Sequence, residues 1–210
     1  MGAAAIALAA AIAISLAALV TMRIRMGRAP APVAPPKGSA GAGVLYALTA
    51  AFAPWAKESA SRHLPSYLAG IVYHVAVATM LLRLAASLLP WPLPPGAGPL
   101  LAAVFAAGAA AGASLLVKRG LDARLRAVSI PDDFIANAAV TLTLFAALVA
   151  ALDPARVPLL QWVGAVLLLY VPLGKLRHMA FLLTSRRLVG SFYGRRGVRP
   201  QAASPGGGRG

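Results

Sequence analysis

Two histidines, His74 and His178, stand in separate apolar stretches of this chain. A bilayer span seldom carries a histidine, because the polar ring must find a partner inside hydrocarbon. Two such rings on separate helices can clamp a flat metallocofactor between them. The pattern suggests one b-type haem with two imidazole ligands, and therefore electron transfer. Bis-histidine ligation leaves no open position on the iron for a small molecule. The chain has no cysteine, so the haem is expected to be non-covalent, and any iron–sulfur relay belongs to a partner chain.

Depth supports the pairing. His74 lies nine residues past Pro65, or about 13 Å into its span at 1.5 Å per residue. His178 lies eight residues before Arg186, about 12 Å in by the same rule. The two spans run antiparallel, so the rings reach one level.

The neighbouring polar residues carry open alternatives. Lys175 shares a helical face with His178. It is a counter-ion for a haem propionate or a cation that snorkels to the interface. His63 stands just before Leu64-Pro65, where helical conformation is disfavoured. It is a propionate contact, a ligand to a second haem, or a solvated interfacial ring. Arg83 lies on the face opposite His74 and either snorkels outward or lines a quinone pocket. Arg62 and Arg177 read as ordinary positive flanking charges. Asp132 and Asp133 read as capping residues of the fourth span.

Five apolar stretches must position these groups: about 3–21, 65–89, 98–117, 133–152 and 157–183. The expected fold is all-α, a polytopic membrane bundle of five transmembrane helices. Pro65 suits a first helical turn, the cluster Pro90, Pro92, Pro94 and Pro95 stops the second span, and Pro172 is expected to kink the fifth. The third span is rich in Ala and Gly, which lets neighbours approach closely. Residues 44–55 are apolar but short, which suits an interfacial or re-entrant helix. The expected segments are a first transmembrane helix (1–22), a cytoplasmic linker with an interfacial helix (23–64), a four-helix haem-binding core (65–185) and a basic, partly disordered tail (186–210).

Composition agrees. The chain is 60% hydrophobic and 12% charged, against about 25% charged in soluble domains. The net charge of +15 is concentrated in alternate loops and the tail. That pattern places the N-terminus outside and the C-terminus in the cytoplasm, in the inner (cytoplasmic) membrane. No soluble domain remains to offer a basic face to nucleic acid. The first span has no basic residue before it, but Arg23, Arg25 and Arg28 follow, so it reads as an uncleaved anchor.

The stretch Pro172-Leu173-Gly174-Lys175-Leu176-Arg177-His178, with Ser185-Arg186-Arg187 and Phe192-Tyr193-Gly194-Arg195-Arg196-Gly197, resembles the last span of the respiratory nitrate reductase gamma-subunit family. Pro54-Trp55-Ala56-Lys57-Glu58-Ser59 and Tyr67-Leu68-Ala69-Gly70-Ile71-Val72-Tyr73-His74 are similar to the second-span region of its distant members, the cytochrome b subunits of heterodisulfide-reductase-like complexes. The resemblance implies five spans and haem b between the second and fifth. It also implies electron exchange between a membrane quinone, menaquinone or ubiquinone, and a cytoplasmic iron–sulfur or catalytic subunit. His74 and His178 match one family ligand pair. The second pair has no counterpart, since Leu84 and Leu160 stand at its positions. The family's loop lysine after the second span is missing as well.

Two other functions compete. A haem-free anchor would dock a cytoplasmic partner through its basic loops. A small transporter would need a row of ionisable groups through the membrane, and His74, Arg83, Lys175, Arg177 and His178 form no such row.

Overall fold

A computed structural model describes residues 2–27, 35–54, 62–90 and 93–198. Among these residues the regular structure is all helical, with no strand. Four helices are long and apolar enough to cross a membrane, and a fifth crossing exists if one broken pair is counted as a single span. These four are α1 (Ala3–Arg25), α3 (Leu64–Ala86), α4 (Ala97–Leu121) and α6 (Pro131–Leu152). Their outward residues include Leu82, Leu100 and Leu142. Apolar side chains on the outside of a helical bundle suit a lipid environment.

Between these four helices lie α2 (Ala40–Leu48) and the short α5 (Ala123–Ala127). The chain ends in α7 (Val157–Tyr170) and α8 (His178–Arg195). Residues 28–34, 55–61, 91–92 and 199–210 lie outside the described residues. So do the 55–59 part of the family-like motif, Lys57, Arg28 and the terminal segment 201–210.

The chain divides into two compact units: Met1–Arg25 with Leu68–Arg177, and Met26–Tyr67 with His178–Gly210. The first holds the apolar core, in which Leu8, Met80, Leu84, Phe105, Leu144 and Leu160 are fully buried. Glycines set its helix spacing. A side chain on Gly108 would collide with Ala76 of α3, and one on Gly112 would collide with the Tyr73 ring and the Thr141 hydroxyl. Gly164 of α7 likewise makes room for Leu84. Small residues allow this approach where lipid supplies no hydrophobic drive for association.

The fifth apolar stretch contains a full break where a kink is expected. Helix α7 ends at Tyr170, and a 3-10 turn, Lys175–Arg177, precedes α8. Proline is the first cause: Pro172 has no N–H to offer the carbonyl of Leu168. That carbonyl accepts the Val171 N–H at 3.2 Å, and the hydroxyl of Ser15, from α1, donates to it as well. A side-chain hydroxyl is the usual substitute for a backbone donor lost at membrane depth. Gly174 is the second cause. The Tyr170 ring lies against it, closer than any Cβ would allow.

The second unit pairs α2 with α8. Ser39 caps α2 by accepting from Ala42 N–H at 3.2 Å, as N-cap serines do. The Lys37 and Gly38 amides donate to the Arg195 carbonyl at 2.7 and 3.1 Å. Gly43 meets Gly190 and Gly194 backbone to backbone. Helix α8 continues to Arg195, so the first ten residues of the expected tail are helical.

Candidate functional site

His74 is exposed on α3. The buried face of that helix is Ala76, Met80 and Leu84, spaced by four, and His74 falls two residues before it, near the opposite face. Its Nδ1–H donates to the Gly70 carbonyl at 2.6 Å. That bond selects the tautomer whose Nε2 carries the lone pair, the state an imidazole needs to bind metal. Nε2 has no hydrogen-bond partner among the described residues. The edge of the His74 ring packs against Tyr73, with centroids 6.1 Å apart. One turn earlier, the space beside Gly70 is empty to 4 Å. An apolar surface, a glycine notch and an oriented nitrogen fit the donor side of a haem ligand.

His178 is the first residue of α8 and is exposed. It belongs to the second unit, with α2, whereas His74 belongs to the first. His63 is exposed in the turn before α3, as expected from Leu64-Pro65. Its carbonyl accepts the Tyr67 N–H at 3.1 Å and so opens that helix.

Lys175 has a partner that neither sequence alternative included. Its ammonium is hydrogen-bonded to the carboxylate of Asp133. Asp133 also accepts the Ile130 N–H at 3.1 Å, which closes the first turn of α6. Arg119 stands 3.9 Å from the same carboxylate and donates to the Ser129 hydroxyl at 2.8 Å. Asp132 accepts the Lys175 backbone N–H at 2.6 Å and the Tyr170 hydroxyl proton. The two carboxylates thus do more than cap α6: they clasp the broken stretch at both of its edges.

Leu84 and Leu160 carry no polar group. Both are fully buried in the same apolar cluster. Arg83 is half-buried beside them on α3, with no carboxylate partner among the described residues. Gln161 is buried on α7 and donates to the carbonyl and hydroxyl of Ser87, each at 3.2 Å.

A further polar cluster escaped the sequence reading. The Tyr73 hydroxyl lies 3.2 Å from the Asn137 carbonyl and 3.3 Å from the Thr141 hydroxyl. Thr141 in turn donates to the Asn137 side-chain carbonyl at 3.1 Å. The available signal was the i,i+4 spacing of Asn137 and Thr141, which places both on one face of an apolar helix.

No family model matches the chain, and no curated protein or solved structure matches it either.

Proposed function

We propose that this chain is a membrane-anchoring cytochrome b subunit with one bis-histidine haem b, His74 and His178 serving as axial ligands. It would exchange electrons between menaquinone or ubiquinone and a cytoplasmic iron–sulfur or catalytic subunit. The observation that carries the reading is the state of His74. An imidazole that merely filled a membrane helix would be expected to satisfy both nitrogens through neighbours. His74 instead fixes one nitrogen on Gly70 and leaves the other open on an apolar face.

A bound haem supplies one-electron redox chemistry. The chain's own residues do the rest. Gly70 holds the His74 tautomer and orientation. Leu84 and Leu160 fill the level of a second family haem with apolar side chains, which favours a single cofactor. The family-like stretch from Pro172 to His178 supports the choice of the second ligand. Inner-membrane placement and an outside N-terminus follow from the alternation of loop charge.

Haem quantified by pyridine haemochrome on the purified chain tests the proposal. About one b-type haem per chain, low-spin in both redox states, is the expected result. A folded chain without haem, from a host that supplies it, would leave the haem-free anchor in its place.

A further inference from the structure

We propose that the groove between α2 and α8 binds the headgroup of an anionic phospholipid, with Arg186 as the phosphate-binding cation and Lys37 as a second cation that adds positive potential further along the groove. The site lies wholly within the second unit and does not depend on the haem reading.

The groove is built first by glycine. Gly43, Gly190 and Gly194 bring the two backbones together, and the larger side chains stand up on either side. The resulting cleft encloses about 770 Å³, lined among others by Lys37, Ser39, Tyr46, Arg186 and Tyr193. That volume lies in the range of small-molecule sites. Lys37 sits beside the Arg195 end of α8 and Arg186 beside Phe52. The offset of nine residues from Arg186 to Arg195 puts the two cations on levels about 13 Å apart.

Charge then selects the ligand's sign. The described residues of this unit contain no aspartate or glutamate. Arg186 is half-buried, with its guanidinium 4.7 Å over the Phe52 ring. An aromatic face holds a guanidinium but does not neutralise it. A partly desolvated cation with no carboxylate among the described residues of its unit calls for an external anion. A planar fork of N–H donors matches the oxygens of phosphate, as it does those of carboxylate, and the lipid side of the groove decides between them.

Apolar exposure selects the source. Leu45, Leu48, Leu188, Val189 and Phe192 are exposed on the same two helices. Cations interleaved with exposed apolar side chains mark a helix that rests at a lipid surface. A soluble acidic peptide or free phosphate would use the charges and leave the apolar residues in water. A phospholipid uses both, its phosphate on Arg186 and its acyl chains beside the leucines.

The test uses the full chain, purified and delipidated in neutral detergent. Thermal stability is titrated with phosphatidylglycerol, phosphatidylcholine and inorganic phosphate. The proposal expects saturable stabilisation by phosphatidylglycerol alone. Arg186→Gln and Lys37→Gln should each weaken the apparent affinity about fivefold, the effect of one basic contact at a lipid surface. Lys37 is exposed, so its replacement leaves the packing intact and serves as the variant that must fold. Arg124→Gln, an exposed charge in the other unit, should change nothing. Equal stabilisation by phosphatidylcholine overturns an anion site. Equal stabilisation by inorganic phosphate overturns the lipid as its source. Displacement of the lipid by poly-glutamate with higher affinity would assign the groove to an acidic protein instead. An Arg124→Gln effect as large as that of Lys37→Gln overturns the groove in favour of diffuse charge.

Discussion

Asp132 accepts the backbone N–H of Lys175 at 2.6 Å across 43 residues of sequence. The same carboxylate takes the Tyr170 hydroxyl proton. One side chain therefore holds the last residue of α7 and the first residue of the turn that leads to His178. Without it, a backbone N–H and a phenol would both lose their acceptor at a proline break. Asp132→Ala should lower stability by about 1–3 kcal/mol, the range for leaving hydrogen-bonding groups without a partner. Asp132→Asn should cost less, because its side-chain carbonyl still accepts one of the two bonds. Equilibrium unfolding in mixed micelles measures both. Equal stability of all three proteins would mean that the clasp contributes nothing.

The Lys175–Asp133 pair is a weaker element. The Lys175 side chain is 52% exposed and that of Asp133 only 9%. Solvent screens the lysine, so a double-mutant cycle with Lys175→Met and Asp133→Asn should give a coupling of about 0.5–1 kcal/mol. Because its ammonium is engaged by Asp133, Lys175→Met should also leave haem content unchanged. Loss of haem in that variant would restore Lys175 as a propionate counter-ion.

Glycines in α4 separate packing from propensity. Gly112 faces Tyr73 and Thr141 too closely for any side chain. Gly112→Leu should destabilise by about 1–3 kcal/mol through overpacking. Gly120, on the same helix, has nothing within 4 Å of a Cβ. Gly120→Ala should be neutral or stabilising by up to about 1 kcal/mol. Melting temperatures of the two variants compared with wild type decide the matter. A tolerated leucine at position 112 would show that the observed helix spacing is not required.

Ser15 offers an independent check on the break. Its hydroxyl serves the Leu168 carbonyl that Pro172 cannot reach. Ser15→Ala should cost about 1 kcal/mol, and Pro172→Ala should lessen that cost by restoring a helical donor. A cycle showing strict additivity would contradict the link between the two residues.

The long apolar helices were legible in the sequence because about 20 residues without charge leave few alternatives. The start of α6 was legible as well, from Pro131 followed by two acids. Pro172 marked where the fifth stretch is interrupted but not by how much. The difference between a kink and a break came from Gly174 and from an acceptor 43 residues away, and no local pattern encodes such a bond. Helix α8 extends past the expected end of that stretch because Gly190 and Gly194, poor helix formers by themselves, serve as the contact surface for α2. For His74 the helix and its phase were readable, but the direction of the ring was not. That direction follows from where Gly108 and Gly112 receive Ala76 and Tyr73, which only the packed bundle reveals.

The proposed ligation of one haem b by His74 and His178 has a spectroscopic signature. Reduced-minus-oxidised spectra of His74→Ala, His178→Ala and His63→Ala, purified in parallel from the same host, test it most directly. The first two are expected to lose the low-spin b-type spectrum while His63→Ala keeps it. A normal spectrum in both His74→Ala and His178→Ala, or none in the wild-type chain, would contradict it.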